Sequence, residues 1–258
     1  MRQAVHAEWT KLRTAATTGW LLVAAIALTV TMSAAAAAAL TYPPASSELD
    51  TTKLSLAGIE LGQAVIAILA VLAIGNEYST GMIRTTLTAM PCRTVVLAAK
   101  AATLSAAVLA AGTIAVLGSL LVGQLILPRN GFTVAHGYQS LSLANGPTLR
   151  AAAGSVLYLA LIALLALGVT TAVRDSATAI GIVLGLLYLF PIIAHVVTDP
   201  QWQRHLQQIA PMNAGLAIQA TTGLRSLPIS PWAGLGVLAV WATGALLAGG
   251  LLLRLRDA

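Results

Sequence analysis

The sequence predicts an all-α membrane protein that crosses the bilayer six times, and three observations carry that expectation. Of 258 residues, 58% are hydrophobic and only 9% charged, where an ordinary soluble domain carries about 25% charged residues. Six apolar runs, at 20–40, 54–75, 101–127, 149–173, 177–197 and 232–253, each approach or exceed the roughly 20 residues a helix needs to cross a hydrocarbon core. The 14 basic residues behind the net charge of +6 are scattered at the ends of those runs. That pattern suits membrane flanks and excludes nucleic acid as a partner, which would require a clustered basic patch. The chain, 1–258, is expected to form one transmembrane domain in contact with the lipid bilayer.

Residues 1–18 contain HAEWTKLRT, in which Trp9 and Leu12 can rest among headgroups while Lys11 and Arg13 reach for anionic lipid, as in an interfacial helix. A merely basic flank is the alternative. The first run starts at Trp20 and ends in alanines at 34–39, which also resemble a signal-peptide cleavage site. Its length, and the runs that follow, argue instead for a retained helix whose alanines pack closely. The stretch 41–53, with two prolines, Glu48 and Asp50, is a short outside loop, and 128–147 contains the turn pairs Asn130-Gly131 and Asn145-Gly146. Arg174-Asp175-Ser176 makes a tight turn between the fourth and fifth runs. The segment 199–231 is too polar to span and too apolar in part for a solvent loop, so short helices dipping into the outer face are expected.

The main polar and basic interruption on the side of the N-terminus is 76–100, NEYSTGMIRTTLTAMPCRTVVLAAK, with Arg84, Arg93 and Lys100 against the single acid Glu77. A surplus of Lys and Arg in a short loop marks the cytoplasmic side. On this layout nine basic residues fall inside and five outside (Lys53, Arg129, Arg150, Arg204 and Arg225). Both termini are therefore expected in the cytoplasm of a multi-pass protein of the cell membrane. Gly81 and Pro91 frame a short helix at 82–90, with Ile83, Leu87 and Met90 on one face and Thr80, Arg84 and Thr88 on another. A helix lying flat with a polar face outward suits a soluble partner that pushes on it. Cys92, the single cysteine, cannot form an internal disulfide and is assigned no chemistry.

No GxxxxGK[ST], HExxH or GxSxG pattern occurs, so no catalytic or metal-ligating residue is expected, and the chain has no phosphate cradle of the usual kind. His195, Asp199 and His205 offer a membrane-enzyme or metal reading against a helix-cap or interface reading. Glu60 is the one acid inside an apolar run, and Gln63 three residues on shares its helical face. The two would line a pathway for a polar or cationic group, as in an ion-coupled carrier; alternatively Glu60 reaches the outer headgroups. Runs so poor in ionisable groups lack the internal relay of an ion-driven carrier, so energy for transport must enter from outside the lipid. Gly58 with Gly62, and Gly181 with Gly185, form GxxxG patterns that let helix backbones approach and suggest assembly with a second copy.

EWTKLRT at 8–14 before a tryptophan-led first run, together with the 76–100 motif after the second, resembles the membrane subunits of ABC transporters of the ABC-2 class, or type V exporters. The resemblance covers the six-run layout and the helices before the last run. It implies that 1–18 is an elbow helix and that 76–100 holds a coupling helix docked on a separate ATPase subunit, two copies of which would bind ATP and Mg; the chain itself would carry no cofactor. It places Glu77, Tyr78, Thr80, Gly81, Arg84, Thr85, Leu87, Thr88, Pro91 and Arg93 at or around that interface. Arg84 and Thr88 would face the partner, Ile83 and Leu87 the bundle. It further implies a permease dimer, homologous or identical, exporting a hydrophobic or amphipathic cargo such as a drug, peptide antibiotic or lipid.

Overall fold

The computed structural model describes residues 2–40, 49–89, 92–133, 136, 138, 141–196 and 199–255; the side chains of Arg84, Leu87, Ala89, His195 and Pro200 also lie outside the description. Six helices are long and apolar enough to cross a bilayer: α2 (Ala16–Ala39), α4 (Ile59–Ser79), α6 (Arg93–Ile126), α7 (Gly146–Val173), α8 (Ser176–Val196) and α11 (Pro231–Leu255). Five shorter helices accompany them: α1 (Arg2–Thr14), α3 (Thr51–Ser55), α5 (Met82–Ala89), α9 (Pro200–Ile209) and α10 (Pro211–Leu216). Among the described residues there is no strand. The protein is all-α and polytopic.

Local chemistry sets many helix ends. Pro147, Pro200 and Pro211 stand in the first turns of α7, α9 and α10, where a missing N–H leaves nothing unsatisfied. Asp50 caps α3 by accepting from the Lys53 N–H at 3.0 Å, and Asp199 caps α9 by accepting from the Gln201 N–H at 2.8 Å. Gly81, with φ +71, follows the end of α4 in the left-handed conformation that glycine adopts without a Cβ penalty. It turns the chain sharply into α5.

The bundle is organised around α7, which packs against α4, α6, α8 and α11 and buries Tyr158, Ile162, Leu165 and Leu167 completely. Its crossing with α11 is a backbone contact. A Cβ on Gly168 would lie 2.5 Å from the Ala245 carbonyl carbon, and one on Gly249 would lie 2.6 Å from Gly168 O. Outward faces carry exposed apolar residues, including Ile114, Leu121 and Leu125 on α6, Ile192 on α8 and Val240 on α11; a lipid-facing surface requires this.

Three sequence expectations change. The 54–75 run is not one helix: α3 stops at Ser55, a turn intervenes, and α4 starts at Ile59. The loop 76–100 shrinks, because α4 continues to Ser79 and α6 begins at Arg93. Glu77, Arg93 and Lys100 find partners inside the protein and do not interrupt either helix. Gly58 and Gly62, expected between copies, are used within the chain. A Cβ on Gly58 would sit 2.0 Å from Thr29 O and one on Gly62 1.9 Å from Thr29 Oγ1, and the Gly58 N–H donates to Ser33 Oγ at 3.1 Å. These two glycines seat α4 on α2, whereas Gly181 and Gly185 meet nothing within 4 Å.

Segment 199–231 contains α9, α10 and a 3-10 turn at Ala217–Gln219. In α10, Met212, Ala214 and Leu216 are buried, and Gly215 lies against the Tyr158 ring, 2.5 Å from where its Cβ would be. Tyr158 lies about 18 Å along α7 from Gly146, at 1.5 Å per residue, so α10 is sunk into the bundle. Asp50 ties this region to the loop after α2: it accepts from the Thr221 N–H, from Thr221 Oγ1 at 2.7 Å and from the Thr222 N–H at 3.0 Å.

Candidate functional site

On the face of the bundle that carries α1, four charged side chains meet. Lys100, seven residues into α6, donates to Glu8 Oε2 at 2.6 Å, to Glu77 Oε1 at 3.0 Å and to Ala73 O at 3.1 Å. Lys11 donates to Glu8 Oε1 at 2.9 Å, to Glu77 Oε1 at 2.8 Å and to Thr86 Oγ1 at 3.4 Å. Glu8, Glu77 and Lys100 are 1%, 6% and 3% exposed, so these three are internal, while the Lys11 side chain, 37% exposed, closes the cluster at the surface. Two carboxylates and two ammoniums cancel, and this makes burial tolerable, since an isolated ion would be very costly there. Burial by itself would push the Glu8 carboxyl up, but the ammoniums of Lys100 and Lys11 outweigh it and hold it below the usual range. Burial would pull the Lys11 ammonium down, but its bonds to Glu77 and Glu8 hold it above its usual value. Glu77 Oε2 is buried without a hydrogen-bond partner among the described residues.

The cluster joins α1, α4, α5 and α6, with Thr86 bringing in α5. Around it, α5 lies along the α1 face with Ile83 and Thr86 buried and Met82, Thr85 and Thr88 exposed; Thr80 and Gly81 extend that exposed surface. The threonine hydroxyls bond back to their own helix, Thr85 to Met82 O at 2.8 Å and Thr88 to Thr85 O at 2.9 Å. Among the described side chains of α5, Met82, Thr85 and Thr88 make the exposed surface. Arg84 and Leu87 are placed only as backbone, and Pro91 lies outside the described residues.

Three residues expected at or around a partner interface turn inward instead. Glu77 belongs to the ion cluster. Tyr78 lies beneath the Arg174 guanidinium, 5.8 Å from ring centroid to Cζ, a cation–π contact. Arg93 donates to Leu253 O at 2.7 Å and Arg174 to Leu252 O at 3.4 Å. Each of these arginines occupies a carbonyl at the C-terminal end of α11, where positive charge is favourable. Lys11, expected to reach lipid, is also drawn into the cluster, because two buried carboxylates bind an ammonium better than a hydrated headgroup layer does.

The other candidates lie at the opposite face. Gln63 is buried, accepting from the Tyr158 hydroxyl and donating to Glu60 O at 3.0 Å and to Met212 Sδ at 3.2 Å. Glu60 is exposed and, with Lys53, Gln207 and Asn213, lines a cavity of about 250 Å³ beside α10. Asp199 is occupied as the cap of α9, and α8 ends at Val196 before reaching it. His205 is exposed, and the described residues hold no group of three metal-capable side chains.

Sequence reasoning missed Glu8, Lys11 and Lys100 as one site. A faint signal existed: Glu8 and Glu77 are acids placed among the basic residues of one face, a position that favours ion pairing.

The class defined by these features is an all-α membrane protein of six apolar helices with an amphipathic helix and a buried ion cluster on one face. A scan against protein-family models finds no match to this chain, and no curated protein matches it.

Proposed function

We propose that the chain is the membrane subunit of an ATP-driven exporter of the ABC-2 class, coupled through α5 to a separate ATPase. The observation that carries this reading is α5 itself, a short amphipathic helix whose buried side is bonded into the cluster of Glu8, Lys11, Glu77 and Lys100 while Met82, Thr85 and Thr88 stay exposed. Two membrane helices and α1 share one set of ion pairs, and α5 joins it through the Thr86 hydroxyl, which accepts from Lys11. A displacement of α5 would reach α1, α4 and α6 together, a rigid-body movement of the kind that opens alternating-access pathways.

In this reading the α1 face is cytoplasmic, both termini included, and the protein resides in the cell membrane. Two permease copies would meet two ATPases, which supply ATP and Mg. The cargo would be hydrophobic or amphipathic, because the spans offer few polar contacts. The open glycines Gly181 and Gly185 make α8 a candidate contact between copies.

Purification in mild detergent tests the proposal. A soluble P-loop ATPase at equal stoichiometry is expected, and Met82→Asp should lower its retention by about tenfold with the bundle still folded. Recovery of the permease with no nucleotide-hydrolysing partner would contradict the reading. Transport lost with Glu60→Gln and driven by an ion gradient without ATP would point to a carrier instead.

A further inference from the structure

We infer that a cleft between α6 and α11, open to the membrane at the α1 face, holds an acyl chain of one anionic phospholipid whose phosphate is bound by Arg254. The cleft measures about 390 Å³. One wall is Leu97, Ala98 and Ala101 of α6, the other Leu247 and Gly250 of α11, and Arg254 stands at its end. Leu247 is 68% exposed, so the apolar interior opens sideways to the hydrocarbon and not into the bundle.

The chemistry of the two ends selects the occupant. Apart from Thr94 and Arg254, the cleft is lined by alkyl groups and Gly250, a surface that a lipid tail can cover and water cannot favourably wet. Arg254 lies in the last turn of α11, exposed, with no hydrogen bond or ion pair among the described residues. A guanidinium matches a phosphate in a bidentate way, and basic groups between membrane helices near a leaflet surface attract anionic headgroups. Gly250 keeps the cleft open. A Cβ there would lie 3.4 Å from Leu97 Cδ2, an ordinary contact, so larger side chains at this position project into the space without colliding with backbone. The inference does not depend on the transport proposal or on which face is cytoplasmic.

Native mass spectrometry of the full chain, stripped of lipid and titrated with phosphatidylglycerol or phosphatidylcholine of identical tails, tests it. One phosphatidylglycerol should be retained about fivefold more tightly than phosphatidylcholine, the factor expected from one arginine near the surface. Arg254→Gln should erase that preference while leaving phosphatidylcholine retention unchanged, and Gly250→Leu should weaken retention of both lipids. Equal retention of the two lipids by the parent chain would overturn the inference. So would an undiminished preference in Arg254→Gln, a surface substitution that leaves the packing of the bundle intact.

Discussion

At the α1 face, Glu8, Glu77 and Lys100 are buried and bonded to one another; at the opposite face Glu60 and Lys53 are exposed, lining a cavity without an ion pair between them. Both ends are tied together, but by different means. The α1 face uses charge against charge across three helices, and the opposite face uses one carboxylate, Asp50, against backbone N–H groups and a threonine hydroxyl. The difference teaches where rigidity is concentrated. A buried ion cluster holds its members in one arrangement, because a partner removed leaves an uncompensated charge in a low-dielectric site. A cap on a loop is released more readily, because hydrogen bonds to water replace the ones it loses.

The sharpest way to break this contrast is Lys100→Met, which leaves two buried carboxylates with Lys11 alone. Stability should fall by about 3–5 kcal/mol, read from denaturation in detergent. Adding Glu8→Gln should recover part of that loss, and strict additivity of the two changes would show that the pair does not interact. Acidity probes the same face. Glu8 is held below its ordinary value of 4.5, so its contribution is complete above that pH and disappears as pH falls through the lower folded value. Lys11 is held above its ordinary 10.5, so its contribution is complete below that pH and disappears as pH rises through the folded value. Protection of α1 from proteolysis should therefore be flat between these limits and decline outside them.

A smaller effect separates the two GxxxG pairs. Gly62→Leu drives a side chain into Thr29 and should cost about 1–3 kcal/mol by overpacking. Gly181→Leu should leave the melting temperature of the monomer unchanged and, under the proposed pairing of copies through α8, reduce cross-linking between copies carrying cysteine on that helix. Smaller still, Asp50→Ala should cost about 1–2 kcal/mol, the scale of a lost cap, and speed hydrogen exchange at Thr221 and Thr222. Last, Glu60→Gln should move stability by no more than about 0.5 kcal/mol and, under the proposed function, leave transport intact.

The six spans were legible because twenty-residue apolar runs have few other uses, and segment 199–231 was legible as short helices because it is too polar to span and too apolar in part for a solvent loop. The break at 56–58 was not legible. It follows from the fit of Gly58 and Gly62 on Thr29 and Ser33 of α2, contacts that local sequence does not encode. The helical start at Arg93 was not legible for a related reason: 93–100 carries a charge at each end, which suits a loop, yet it contains no helix breaker and both charges are satisfied by neighbours. The ion cluster was illegible as a site because Lys100 and Glu8 stand 92 positions apart, and only the packing of α1 on α6 brings them together. Tyr78 and Arg93 were expected beside a partner surface, a role that sequence could not distinguish from closing helix ends within the bundle.

Hydrogen exchange, measured on the parent chain and on Lys100→Met in detergent, tests most directly whether the cluster makes α1 and α5 one body with the bundle. If it does, amides of α1 and α5 should lose protection together and by the same factor. Faster exchange in α1 alone, with α5 unchanged, would contradict the account.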